Sequence, residues 1–151
     1  MKLLFVTIIA CIALVSCDGP SKPTLAPENI FDSKDLHVIT SLINKRMGTA
    51  STLYGNDLAL AASQRQIKNH TAGEIYQFVT WKLHPNPYWF GGDINGVQNS
   101  LETVEVLPSK DKQIAVRYTR TNNDHASSES LALDKQDRIN FIFGQKPSVF
   151  P

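Results

Sequence analysis

Two periodic segments in the first half of the chain predict helices. Between residues 36 and 47, apolar side chains recur every three or four positions, the period of an amphipathic helix: Leu36, Ile39, Leu42, Ile43 and Met47. Asp32 is a suitable N-cap and Gly48 a suitable stop, so we predict a helix over residues 33–47. A second helix is predicted from residue 57 to about residue 68, and its small residues favour close packing.

From residue 74 the period shortens to two, which predicts strands. Residues 75–81 carry bulky side chains on both faces, so we place this strand centrally in a sheet. Residues 49–54 could add a short strand, whereas the prolines and glycines of residues 83–96 predict an irregular segment. Further strands are predicted over residues 102–106, 113–119, 130–133 and 138–143, with a hairpin turn at residues 134–137. The expected fold class is α+β, with two N-terminal helices packed on a four- to five-stranded antiparallel sheet.

The N-terminal apolar run, residues 3–15, has the length of the apolar region of a signal peptide. A membrane-spanning helix would need about 20 residues. The next residues, Leu14-Val15-Ser16-Cys17, resemble the bacterial lipobox, which has an aliphatic residue at −3, a small residue at −1 and cysteine at +1. The resemblance implies diacylglycerol on the Cys17 thiol, cleavage before Cys17 and an acyl chain on the new amine. The alternative is an ordinary secretion signal cleaved near Ser16.

The lipobox resemblance divides the chain into three parts. Residues 1–16 are the predicted signal peptide, residues 17–28 the lipidated cysteine with a flexible tether rich in proline, and residues 29–151 one globular domain. Two or three buried acyl chains anchor a protein to a bilayer durably. We therefore expect a periplasm-facing membrane lipoprotein of the cell envelope. Asp18 resembles the signal that retains such proteins in the inner membrane of enterobacteria.

Composition narrows the chemistry that the domain can perform. Cys11 lies in the predicted signal and Cys17 carries lipid, so the mature domain has no thiol for a disulfide, a metal or a nucleophile. The chain has 15 Lys and Arg against 14 Asp and Glu and no long basic stretch, which argues against nucleic acid as a partner. The four histidines lack the spacing of a metal site, and we expect none. Glu102 and Glu105 stand on opposite faces of a strand and make a poor acid–base pair.

The segment from His84 to Asp93 is the strongest candidate for a binding site. It holds three consecutive aromatic residues, Tyr88, Trp89 and Phe90, among prolines and glycines. With Trp81 these rings could wall a pocket for a flat ligand, with His84 as the axial or polar contact. The alternative is that they close the open end of the hydrophobic core.

A second resemblance rests on short glycine and aromatic motifs at residues 54–57, 72–75, 79–82 and 89–92. This part of the chain resembles small bacterial proteins grouped with the cytochromes of the P-460 type. The resemblance implies a curved antiparallel sheet with helices packed against it, and a homodimer. Those cytochromes attach haem through Cys-x-x-Cys-His, which the mature chain lacks, so covalent haem c is excluded. Lys82 lies in the similar stretch, but without that haem no cross-linking role transfers to it.

Two functions therefore stand as expectations. The first is an envelope lipoprotein with a non-catalytic domain that binds an envelope partner protein. The second is a P-460-like domain that binds non-covalent haem or another small flat ligand through Trp81, His84 and the three aromatic residues. Nothing in the sequence specifies catalysis, although an enzyme of unrecognised type and a purely structural envelope component stay open.

Overall fold

The computed structural model describes residues 24–109, 114–122 and 135–148. Within these ranges the chain forms five strands and two short helices. In chain order they are β1 (His37–Asn44), β2 (Thr49–Gly55), α1 (Asp57–Arg65), β3 (Ile75–Pro85), β4 (Asp93–Pro108), β5 (Ile114–Asn122) and α2 (Lys135–Phe143). No helix among the described residues is long and apolar enough to cross a bilayer.

The five strands form one antiparallel sheet in the order of the chain, β1-β2-β3-β4-β5. Each strand therefore pairs with its sequence neighbour. Strands β3 and β4 form the longest pair, from Ile75 opposite Glu105 to Pro85 opposite Asp93. The turn between them occupies only residues 86–92.

The two faces of the sheet are covered differently. The helix face carries the main core, in which Leu53, Tyr76 and Val104 pack with Ala59 of α1 and Ile142 of α2. The opposite face, here called the tether face, is crossed by the N-terminal segment, residues 24–36. The Phe31 ring of that segment lies 5.3 Å from the ring of Tyr54, and residues 31–36 line a groove together with Ile75 and Gln77.

Helix α1 confirms the second predicted helix and its close packing. Asn56 caps it, because the Asn56 side chain accepts a hydrogen bond from the Ala59 backbone N–H at 3.0 Å. The helix lies so close to the sheet that a Cβ on Gly55 would stand 2.7 Å from the Ile39 side chain and 2.8 Å from that of Ala59. Only glycine fits at Gly55 without a shift of its neighbours.

The predicted fold class is wrong in its helices. Residues 33–47 do not form a helix, because β1 and the turn that follows it occupy most of this segment. The second helix of the structure is C-terminal, so the sheet does not rest on two N-terminal helices. The false helical pattern of residues 33–47 arises from a bulge in β1 between Val38 and Thr40, which adds one residue to the strand. Ile39 and Leu42 then both reach the core although they are three residues apart, and the spacing imitates a helix.

Two predictions about the C-terminal region are also wrong, and one about the middle of the chain is wrong in part. Residues 138–143, predicted as a strand, belong to α2, and residues 135–137 begin that helix instead of forming a hairpin turn. Residues 83–96, predicted as irregular throughout, are strand at both ends, because β3 extends to Pro85 and β4 begins at Asp93. The predicted strand at residues 130–133 lies outside the described residues. The sheet itself and its strands near residues 49–54, 75–81, 102–106 and 113–119 are confirmed.

Candidate binding cleft

The helix face is open at one end, where a cleft of about 670 Å³ lies between the β1–β2 hairpin and α2. This volume lies within the range of small-molecule sites, roughly 300–1,000 Å³. Its walls are apolar side chains: Leu42, Ile43, Met47, Phe78 and Phe141. Its polar lining is mostly hydroxyl and amide groups: Asn44, Thr49, Ser51, Thr80, Asn99 and Ser100.

The cleft exists because one row of the sheet carries small side chains. Ser51, Thr80 and Ser100 stand side by side across β2, β3 and β4. The hydroxyl oxygens of Ser51 and Thr80 are hydrogen-bonded at 2.8 Å. The next row toward the core holds Leu53 and Phe78, which fill the corresponding space. The step from large to small residues therefore leaves a hollow with a hydroxyl floor.

A buried ion pair closes the inner end of the cleft. The guanidinium of Arg138 donates two hydrogen bonds to Glu102, from Nε to Oε2 at 2.9 Å and from Nη2 to Oε1 at 2.6 Å. The Tyr118 hydroxyl donates a third to Glu102 Oε2 at 2.7 Å. Arg138 also lies over the rings of Phe78 and Phe141, at 5.5 and 5.0 Å. Since Glu102 is only 2 % exposed, the pair fixes α2 on the sheet and is fully engaged in doing so.

The pKa values of Tyr118 and Arg138, the two hydrogen-bond partners of Glu102, are both raised. Burial raises the pKa of Tyr118 to about 12, and the hydrogen bond to Glu102 and its negative charge act in the same direction. Burial alone would lower the pKa of Arg138, but the hydrogen bond and charge of Glu102 outweigh it, so the pKa of the guanidinium is raised. Both shifts keep the proton on the donor, which preserves the contact.

The Tyr118 shift predicts a loss of stability at alkaline pH. The unfolded chain releases the Tyr118 proton near pH 10, while the folded protein holds it to about 12. The contribution of Tyr118 is therefore complete below pH 10 and is lost as the pH rises toward 12. We expect Tyr118→Phe to flatten this part of the curve of unfolding free energy against pH, measured in urea between pH 8 and 11.5. A slope identical to that of the wild type would contradict the assignment.

The charge of the cleft favours an anion. Lys45, Arg120 and Arg138 line it together with Glu102, and because Glu102 neutralises Arg138, Lys45 and Arg120 give the lining its positive charge. The apolar walls suit a hydrocarbon or aromatic body, and the hydroxyl and amide groups suit a polar substituent. The cleft thus combines apolar walls, a polar floor and cationic side chains.

A second polar cluster lies on the other side of the core. Glu74, 2 % exposed, accepts hydrogen bonds from the Thr71 backbone at 2.6 Å, from the Tyr76 hydroxyl at 2.8 Å and shares one with His70 Nδ1 at 2.7 Å. The His70 ring stacks on Phe143 of α2 at 3.7 Å between ring centroids. Burial raises the pKa of Tyr76 strongly, and the bond to Glu74 adds to the shift. Every oxygen of Glu74 has a partner, so the cluster holds the structure together.

The residues predicted as a ligand pocket lie in different surroundings. Trp81 is 2 % exposed and enclosed by protein. Tyr88, Trp89 and Phe90 lie in the β3–β4 turn and are 61 %, 73 % and 104 % exposed. The alternative that these three rings close the core is therefore wrong. His84, also exposed, lies on β3 beside the turn with Nδ1 at 2.8 Å from the Pro85 carbonyl. We call Tyr88, Trp89 and Phe90 the aromatic tip.

The described residues include some of the remaining predicted features and not others. Cys17 and the signal peptide lie outside the described residues. Among the residues that are described, no group of three His, Cys, Asp or Glu side chains is placed to hold a metal ion. One of the four histidines, His70, is buried, with its side chain only 10 % exposed.

Sequence reasoning missed the Glu102–Arg138 pair, although one signal was present. Glu102 stands at even spacing from Val104 and Val106, so the alternation of β4 places its carboxylate on the core face. An ionisable group on a core face requires a buried partner. Arg138 was hidden because its segment was predicted as a strand.

No family model matches the chain, and no curated protein is significantly similar to it. The assignment of a function therefore rests on the residues described above.

Proposed function

We propose that this chain is a lipoprotein of the bacterial envelope, held at a membrane through lipid on Cys17, whose domain acts by binding. Its ligand is a small amphipathic anion that enters the cleft of the helix face. The observation that carries the proposal is the row Ser51, Thr80 and Ser100, which leaves an open hollow beside apolar walls and cationic side chains. The apolar body of the ligand lies along Phe78 and Phe141, and its anionic group lies toward the cationic side chains.

Binding fits the cleft better than catalysis does. Its buried carboxylate, Glu102, accepts three hydrogen bonds, two from Arg138 and one from Tyr118. Both oxygens of this carboxylate are engaged in the contact that holds α2 on the sheet. The hydroxyl groups of Ser51 and Thr80 are hydrogen-bonded to each other, which suits a polar floor for a bound ligand.

The cleft can be tested with 1-anilinonaphthalene-8-sulfonate, an aromatic anion whose fluorescence rises in apolar sites. We expect saturable binding that dodecanoate displaces. Thr80→Phe fills the floor of the cleft with a ring and so occupies the space in which the probe would contact the apolar walls. We expect it to raise the dissociation constant of the probe at least about tenfold. The parent protein and the Thr80→Phe variant both carry Trp89→Ala, so that probe bound at the aromatic tip does not contribute to the signal.

The matched control is Thr119→Phe, which adds the same ring at an exposed position of β5. Thr119 neighbours Tyr118 in sequence and therefore points away from the helix face. Its dissociation constant should equal that of the parent. If Thr80→Phe, shown to be folded by circular dichroism, bound the probe as tightly as Thr119→Phe, the cleft would not be the site.

An envelope partner protein is the second candidate function. The aromatic tip favours it, because three neighbouring exposed aromatic residues are typical of contact surfaces. A photo-reactive residue in place of Phe90 would then form a covalent adduct with one protein of the envelope.

A further inference from the structure

The backbone of the aromatic tip forms a closed turn, and its rings are exposed. The Asn86 N–H donates to the Gly92 carbonyl at 2.8 Å, and the Tyr88 N–H donates to the Asn86 side chain at 2.9 Å, so the turn is closed by its own hydrogen bonds. Gly91 has φ +78°, which L residues rarely adopt. Three adjacent exposed aromatic rings form an apolar patch of the kind that contacts a partner or a membrane.

The N-terminal segment joins the sheet at the same end as the tip. The Asn29 N–H donates to the Asn95 carbonyl at 2.9 Å, and the Asn29 side chain donates to the Gly96 carbonyl at 2.7 Å. Asn95 in turn donates to the Glu28 carboxylate at 3.3 Å. Asn95 is two residues beyond Asp93, the first residue of β4 after the turn. The attachment point therefore lies within about 10–15 Å of the tip along the strand.

The chain between this point and Cys17 is short. Cys17 and Glu28 are 11 positions apart, which spans at most about 40 Å. Lipid on Cys17 therefore limits the distance between the attachment point at Glu28 and the bilayer to about 40 Å. The tip lies at this end of the sheet, whereas Gly55 and α1 lie at the other end, because Gly55 pairs with Tyr76 at the far end of β3.

From this arrangement we propose that the aromatic tip inserts into the bilayer interface to which Cys17 is anchored, an inference that rests on the proposed lipid anchor. Tyr and Trp are the residues that membrane interfaces accommodate best, because each has an apolar ring and a polar group. Phe90, the most exposed of the three rings, reaches deepest. The tip is then a second, protein contact with the membrane, and it fixes the orientation in which the domain stands on it.

The two tryptophans of the chain provide the test. Trp89 belongs to the tip, and Trp81 is buried and serves as an internal reference. The lipidated mature chain is reconstituted into vesicles of phosphatidylethanolamine and phosphatidylglycerol, and the spectrum of Trp89→Phe is subtracted from that of the wild type. We expect the Trp89 emission to move to shorter wavelength, to be quenched by lipids brominated near the glycerol end of the acyl chains, and to lose at least about two-thirds of its quenching by iodide. Trp81→Phe isolates the same signal directly.

Cross-linking in cells distinguishes the bilayer from a protein partner. p-Benzoylphenylalanine in place of Phe90 should form lipid adducts, whereas the same group in place of Leu58, an exposed residue of α1 at the far end, should form none. Two results would overturn the insertion. One is iodide quenching of Trp89 in the vesicles that is as strong as in detergent-free solution, and the other is adducts at position 90 with protein alone. The mass of the mature N-terminus is measured in the same preparation. A chain without lipid refutes the anchor, while a lipidated chain with a water-exposed Trp89 refutes the insertion only.

Discussion

Replacement of Glu102 by alanine is expected to lower the free energy of unfolding by about 3–5 kcal/mol, a large part of the stability of a domain of this size. The substitution leaves the Arg138 guanidinium, whose side chain is 16 % exposed, without its two carboxylate bonds. It also leaves the Tyr118 hydroxyl without an acceptor. An uncompensated charge between the sheet and α2 is costly, because water cannot replace the lost partner fully. Urea unfolding monitored by circular dichroism measures the change.

Strand β4 supplies a matched control. Glu105 stands three residues on, also pairs with an arginine, Arg117, and is partly exposed on the opposite face. An exposed pair contributes only about 0–1 kcal/mol, so Glu105→Ala should have little effect. The double variant Glu102→Leu with Arg138→Met should recover most of the loss, since apolar residues can replace a buried pair. Equal effects of Glu102→Ala and Glu105→Ala would show that the buried pair has no special weight.

The β1 segment shows why the sequence predicted a helix where the structure has a strand. The spacing of Ile39 and Leu42 is shared by a helix and by a strand with one bulge, so apolar periodicity alone cannot separate them. The flanking signals have the same double meaning. Asp32 caps a turn at Lys34 instead of a helix, and Gly48, at φ +60°, turns the β1–β2 hairpin. The run Val38-Ile39-Thr40, β-branched throughout, was the local signal for a strand.

Helix α2 was missed for a different reason. Ile139, Phe141 and Phe143 alternate as in a strand, whereas Ile139 and Ile142 also have the spacing of a helix. Ile139 and Ile142 face the core, while Phe141 and Arg138 face the cleft. A helix of nine residues has too few turns for its period to be read from sequence, and its place on the sheet is set by Glu102, 36 residues earlier.

The functional features followed the same division between local and long-range information. The aromatic tip could be found in the sequence, because three adjacent aromatic residues beside prolines and glycines are a local pattern. The floor of the cleft could not, because Ser51, Thr80 and Ser100 are ordinary residues until strand register places them in one row. Register depends on the pairing of whole strands, which no short window of sequence contains.

Replacement of Glu74 by alanine is expected to cost about 2–4 kcal/mol, because three donors lose one acceptor and two of them are buried. The Tyr76 hydroxyl is enclosed in the core, and His70 is covered by Phe143. Unfolding in urea gives the change in free energy. Tyr76→Phe serves as the partial case: it removes one donor and leaves Glu74 bonded to Thr71 and His70, so its cost should be about 1 kcal/mol.

The location of the damage separates a specific role of Glu74 from a general loss of stability. Glu74 orients the His70 ring, and that ring supports Phe143 at the end of α2. Hydrogen exchange of α2 amides should therefore accelerate in Glu74→Ala more than exchange of β3 and β4 amides, since the helix loses its contact while the strands keep their ladder. Uniform acceleration across α2 and the strands would mean that Glu74 supports the core as a whole. In that case the buried Glu102–Arg138 pair would be the main polar contact that holds α2 on the sheet.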